Sequence, residues 1–214
     1  MTNLKPIKLL PAREQIASVL RKQILSRNIK EGETISLEAT AKKLGVSVTP
    51  VREALYILDS NGLVKLRPNK EALVMGVTPK TIRDHYEIRA ILEREAAVMV
   101  CENKADLSDV VAAYNGGVEV IKNNKAKDYG AYNQAFHVAI WKASGNERME
   151  SLLSSMWNGL SMGDNVTKEE YAKTSISEHK DILNALENRD RELARTLMSN
   201  HIFRSMENIL THFK

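Results

Sequence analysis

Three histidines, His137, His179 and His201, are the side chains in this sequence best suited to do chemistry. Each sits in a stretch of helical character among apolar or small neighbours: Phe136-His137-Val138-Ala139-Ile140, Ser175-Ile176-Ser177-Glu178-His179 ahead of Ile182-Leu183, and Leu197-Met198-Ser199-Asn200-His201-Ile202-Phe203. An imidazole turned into a helical bundle needs hydrogen-bond partners or a metal. Metal sites in bundles are commonly assembled from side chains on facing helices. Asn133 lies one turn before His137 on the same helical face and adds an amide oxygen there. The residues alone leave two readings open: satisfied interior histidines, or a site for a divalent ion. His85 and His212 are expected to be exposed and carry no assigned role.

A second set of residues is spaced for a different task. Ser47-Val48-Thr49-Pro50-Val51-Arg52-Glu53-Ala54-Leu55 follows a short amphipathic helix, Leu37 to Leu44, across a Gly45-Val46 break. Helix, tight turn and a second helix opening at a polar cap describe a helix-turn-helix. Ser47 and Thr49 are candidate N-caps, and Pro50 fits the first turn. Val51, Leu55 and Leu58 fall on an inward face, while Thr49, Arg52 and Tyr56 share another face that should point outward. A hydroxyl and a cation at the front of an exposed helix suit phosphate and base-edge contacts.

The elements that must position these groups can be read on either side. Arg13 to Ile29 has a helical apolar stripe, and Lys30 to Ile35 reads as a turn. Leu63-Val64-Lys65-Leu66 and Leu73-Val74-Met75 read as two short strands joined by Arg67-Pro68-Asn69-Lys70-Glu71, a polar tip with two cations. Three helices followed by such a ribbon make a winged helix-turn-helix. Residues 1–76 hold 13 Lys+Arg against 7 Asp+Glu, whereas residues 77–214 hold 18 against 20. The basic excess lies in the part that carries the motif, as phosphate neutralisation requires. The expected division is residues 1–76 as a DNA-binding unit, 77–80 as linker and 81–214 as an all-helical unit. Six antiparallel helices are expected in the latter, near 79–102, 106–123, 126–144, 146–161, 167–187 and 190–212.

At 214 residues, with 43% apolar and 27% charged residues, the chain has the composition of one or two ordinary globular domains. Neither a membrane-spanning run nor a signal-peptide pattern is evident, and the single Cys101 has no partner for an internal disulfide. A cytoplasmic location is expected.

Four separated motifs resemble the GntR superfamily of bacterial transcription regulators, in its FadR-like branch. They are Thr49-Pro50-Val51-Arg52-Glu53-Ala54-Leu55, then Glu87-Ile88-Arg89-Ala90-Ile91-Leu92-Glu93, then Asn133-Gln134-Ala135-Phe136-His137 with Ser144-Gly145-Asn146, and finally Glu178-His179 with Ala185-Leu186, Asp190 and His201. The resemblance implies a mainly α, homodimeric regulator that binds an inverted-repeat operator in double-stranded DNA. Its FCD-type helical domain would bind a small carboxylate effector, often beside a divalent metal of zinc or nickel type. The implied metal ligands are His137, His179 and His201, with Asn133 where relatives carry Asp, and Arg89 would meet the effector carboxylate. The DNA contacts implied or read directly are Lys42, Lys43, Ser47, Val48, Thr49, Arg52, Tyr56, Arg67 and Lys70.

This sequence departs from the family pattern in several places. Val48 stands where many relatives have arginine, Glu38 where a cation is frequent, and the wing tip lacks its usual glycine. Operator preference should differ accordingly. Asn133 leaves the four expected ligands without an anion. The expected mechanism is repression relieved by the effector, through the relative placement of two reading heads. A metalloenzyme is the competing reading, although no HExxH pairing or placed general base supports it. A ligand-free dimerisation module is the third.

Overall fold

Ile16, Ala17, Leu20 and Ile24 recur at helical spacing and are buried along one side of α1 (Ala12–Leu25). The computed structural model of the chain describes residues 11–25, 28–68, 71–157 and 168–212. The helix expected to reach Ile29 is described as far as Leu25, with Ile29 outside it and packed on the core. The chain divides into two units, Met1–Thr78 and Pro79–Lys214.

In the first unit α1 is followed by β1 (Thr34–Ser36), α2 (Leu37–Leu44), α3 (Val48–Ser60), β2 (Val64–Arg67) and β3 (Glu71–Val74). Ser36 caps α2 by accepting the Ala39 N–H, and Gly45 closes it in the left-handed region at φ +66°. Such a φ costs glycine nothing, so the sharp turn between α2 and α3 falls there. Val51, Ala54, Leu55 and Leu58 anchor α3 to α1 and the sheet. The strands form an antiparallel sheet in the order β1-β3-β2, with Ile35 and Leu66 both opposite Ala72. Strand β1 replaces the end of the turn expected over 30–35. Three residues with only Ile35 buried give too short an alternation to recognise in advance.

The second unit holds α4 (Pro79–Glu102), α5 (Ser108–Lys122), a 3-10 turn (Ala126–Asp128), α6 (Tyr129–Ala143), α7 (Glu147–Met156), α8 (Lys168–Glu187) and α9 (Arg191–His212). Six α-helices among the described residues match the expected number, with α4 packed along α9 and α5 along α6 and α8. Helix α4 opens at Pro79, so two residues of the expected linker are already helical. Helix α7 ends at Met156 rather than near 161, because Trp157 turns to extended backbone at ψ 102°. None of the described helices is long and apolar enough to cross a membrane. The buried face of α4 includes Arg89 and Glu93 between Tyr86, Ala90 and Ala96. Ionised side chains in the middle of a core stripe must be paired or working.

Candidate metal centre and nucleic-acid interface

Tyr129, Asn133, Phe136, His137, Ile140 and Trp141 recur at three- and four-residue steps and form the buried face of α6. Ser175 and His179 are one turn apart on α8, and His201 lies on α9, so three helices bring the three imidazoles together. One ring nitrogen from each lies within 4.8 Å of the other two. The rings are at most 2% exposed, and His179 stacks on Phe136 with centroids 4.0 Å apart.

Each ring is anchored through Nδ1. His137 Nδ1 meets Glu93 Oε2 at 2.5 Å and His201 Nδ1 meets Glu178 Oε2 at 2.6 Å. A carboxylate accepts, so both histidines are assigned as Nδ1–H tautomers. Their Nε2 atoms then face one another at 3.2 Å, where the neutral tautomers would oppose two lone pairs. Two acceptors in such proximity repel unless a cation or a proton lies between them. His179 Nε2 is buried and has no hydrogen-bond partner among the described residues. An unsatisfied buried nitrogen and two ring nitrogens converging on it fit a bound divalent ion of zinc or nickel type.

The carboxylates are themselves held. Glu93 Oε1 accepts from Arg89 Nε at 2.5 Å, and Oε2 also accepts from Trp141 Nε1 at 3.1 Å. Burial would raise the Glu93 pKa, but Arg89 and His137 reverse this and bring it down to about 2. Burial likewise opposes ionisation of Glu178, and the bonds from His201 and Arg204 hold it below its ordinary value. Burial, with the nearby His137, pushes His201 down to about 4 against the pull of Glu178. Burial, His201 and His137 push His179 well below its usual value. Neutral imidazoles are the form that binds metal.

The sequence showed no anion among the four expected ligands, and the structure places two carboxylates one bond behind them. Glu93 and Glu178 both fall within the motifs of the helical domain, where the sequence alone assigns them no role. The available signal was Glu93 four residues after Arg89, on one helical face. Arg89, expected to meet an effector, is buried, tied to Glu93 and set against Trp157, with its guanidinium carbon 4.5 Å from the ring centroid. Asn133 is buried beside His137 on α6, and its Oδ1 accepts from Ser175 Oγ at 3.3 Å.

In the first unit Lys42, Lys43, Ser47, Thr49, Arg52, Tyr56 and Arg67 are all exposed. Ser47 takes the N-cap position of α3 without a side-chain cap bond, and Thr49 falls inside the helix rather than capping it. Val48 is half-buried and packs on the core, one helical turn before Arg52. Lys70 lies outside the described residues. Lys65, which sequence reasoning passed over, adds an exposed cation on β2.

The profile of the FCD domain matches residues 84–204, which include every residue of the histidine cluster. The profile of the gntR family of bacterial regulatory proteins matches residues 12–74. The chain is 27% identical over 201 residues to the uncharacterized HTH-type transcriptional regulator YdhC of Bacillus subtilis (strain 168), covering 91% of this chain and 89% of that protein. It is 32% identical over 152 residues to the gluconate operon transcriptional repressor of the same organism, covering 68% of this chain and 59% of that protein. The solved structure of E. coli McbR/YncC superposes with a TM-score of 0.73 at 22% identity, covering 96% of this chain and 100% of that one, and so shares the fold. These matches set the metalloenzyme reading aside. The chain therefore belongs to the GntR family of bacterial regulatory proteins with an FCD domain, and it is a DNA-binding transcriptional regulator rather than an enzyme.

Proposed function

We propose that this regulator is a repressor whose operator affinity is set by a small carboxylate bound at the histidine cluster. The observation that carries this reading is the 3.2 Å approach of His137 Nε2 to His201 Nε2 with both Nδ1 positions committed to carboxylates. His137, His179 and His201 would hold a divalent ion, and Asn133 Oδ1 keeps one lone pair beyond the one used by Ser175. A bound ion supplies fixed positive charge and coordination positions for an anionic ligand. Arg89, joined to the cluster through Glu93 and His137, is the cation we assign to the effector carboxylate.

Lys42, Lys43, Ser47, Thr49, Arg52, Tyr56, Arg67 and Lys70 would contact an inverted-repeat operator, which the protein would bind as a homodimer. The similarity to a gluconate operon repressor supports repression as the sign of control. Operator binding measured against salt, with and without a panel of organic acids, tests the proposal. The expected result is a steep fall in affinity with salt and a further fall with one class of acid. A salt-independent affinity, or indifference to every acid in metal-loaded protein, overturns it.

A further inference from the structure

His179 is anchored differently from the other two histidines. They lean on charged carboxylates, each clamped by an arginine, Arg89 on Glu93 and Arg204 on Glu178. The His179 Nδ1 instead lies 3.3 Å from the Tyr129 hydroxyl, which is 3.0 Å from Ser175 Oγ, which is 3.3 Å from Asn133 Oδ1. Ser175 and His179 are at most 1% exposed, and Tyr129 and Asn133 at most 3%. Water is therefore a poor substitute for any missing partner.

We infer that Tyr129, Ser175 and Asn133 form a one-way hydrogen-bond relay that fixes His179 as its Nδ1–H tautomer, with Asn133 as the terminal acceptor that sets the direction. Each hydroxyl has one proton to give. The amide oxygen of Asn133 can only accept, so Ser175 spends its proton there. Ser175 must then accept from Tyr129, whose proton is committed in turn. A phenol holds its proton at neutral pH. The Tyr129 oxygen can therefore only accept from His179, and Nδ1 must carry the imidazole proton. Nε2 is left as a bare lone pair, in agreement with its lack of a partner among the described residues.

Tyr129, Ser175 and Asn133 are thus positioning residues for the third ligand. The relay also gives a reason for an amide at 133. A neutral acceptor orients the proton chain without adding a third buried carboxylate to a site that already holds Glu93 and Glu178. The consequence for metal binding rests on the reading proposed above, but the tautomer itself can be measured in metal-free protein.

The test is long-range proton–nitrogen NMR of the metal-free, nitrogen-15 histidine-labelled full chain, alongside competitive titration with zinc. Wild type should show His179 protonated on Nδ1. In Ser175→Ala the Tyr129 hydroxyl loses its acceptor and turns its proton to the imidazole, so His179 should switch to the Nε2–H form. Zinc affinity should then fall about 10- to 100-fold, the usual effect of losing an outer-shell partner. Asn133→Asp should keep the wild-type tautomer, because a carboxylate also only accepts. An Nε2–H signal in wild type, or an unchanged tautomer in Ser175→Ala with its fold intact, overturns the relay. Failure of wild type to bind zinc while the tautomer switches as described would instead count against the metal reading and leave the relay standing.

Discussion

Glu93 sits fully buried among Arg89, His137 and Trp141, and its removal would strand a guanidinium in the core. Glu93→Ala should therefore destabilise the protein by about 3–5 kcal/mol in urea unfolding, the range found when one partner of a buried pair is deleted. Glu93→Gln, which keeps an acceptor for Trp141, should cost less. Acid should also be harmful to metal-free protein. The unfolded chain protonates His201 near the usual 6.5, while the folded chain resists until about 4. Folding stability is then full above about 6.5 and is lost as pH falls through that window, by roughly 3 kcal/mol from this group alone. Urea midpoints between pH 7 and pH 4 read this directly, and a flat profile would show that His201 does not stay neutral. The histidines were visible in the sequence because imidazoles among apolar neighbours are conspicuous. Their anchors were not, since a glutamate on an amphipathic helix ordinarily reads as solvated. Glu93 is revealed only when α4 meets α6, and Tyr129 and Ser175 only when α6 meets α8.

Helix α5 approaches α6 through Gly116, where an added Cβ would lie 2.2 Å from the Tyr132 ring. Gly117 beside it packs against Tyr129, the residue that anchors His179, with a built Cβ 3.2 Å from the ring. Gly116→Ala should lower stability by about 1–3 kcal/mol, as overpacking does. Combining it with Tyr132→Ala should restore most of that loss, since Tyr132 is 37% exposed and its truncation costs little. Failure of the pair to recover in thermal melts would place the strain elsewhere. Helix number and most helix ends were legible because Gly45, Gly62, Gly145 and Asn124, all at positive φ, mark the stops. The end of α7 was not, because Trp157 is no helix breaker and the first glycine, Gly159, lies beyond the point where the helix stops. Strand β1 was likewise hidden, because its pairing with β3 is a tertiary event.

The excess of positive charge in residues 1–76 accords with DNA grip by the first unit, while the function proposed above places sensing in the second. Arg52→Ala should weaken operator binding by about 1–3 kcal/mol while leaving zinc binding intact. If Arg52 meets a phosphate, the slope of log affinity against log salt should also become shallower by about 0.9. An unchanged affinity would move the reading face off α3. One arrangement described above makes such coupling unusually easy to watch. The only two tryptophans, Trp141 and Trp157, lie 6.4 and 5.4 Å from the His137 ring, and the reading half has none. Intrinsic fluorescence should therefore act as a built-in, label-free gauge of what occupies the sensing half, quenched on titration with nickel. Operator DNA touches no indole in this picture, so any emission change it causes is a direct optical record of communication between the halves, which thermodynamic reciprocity requires in both directions.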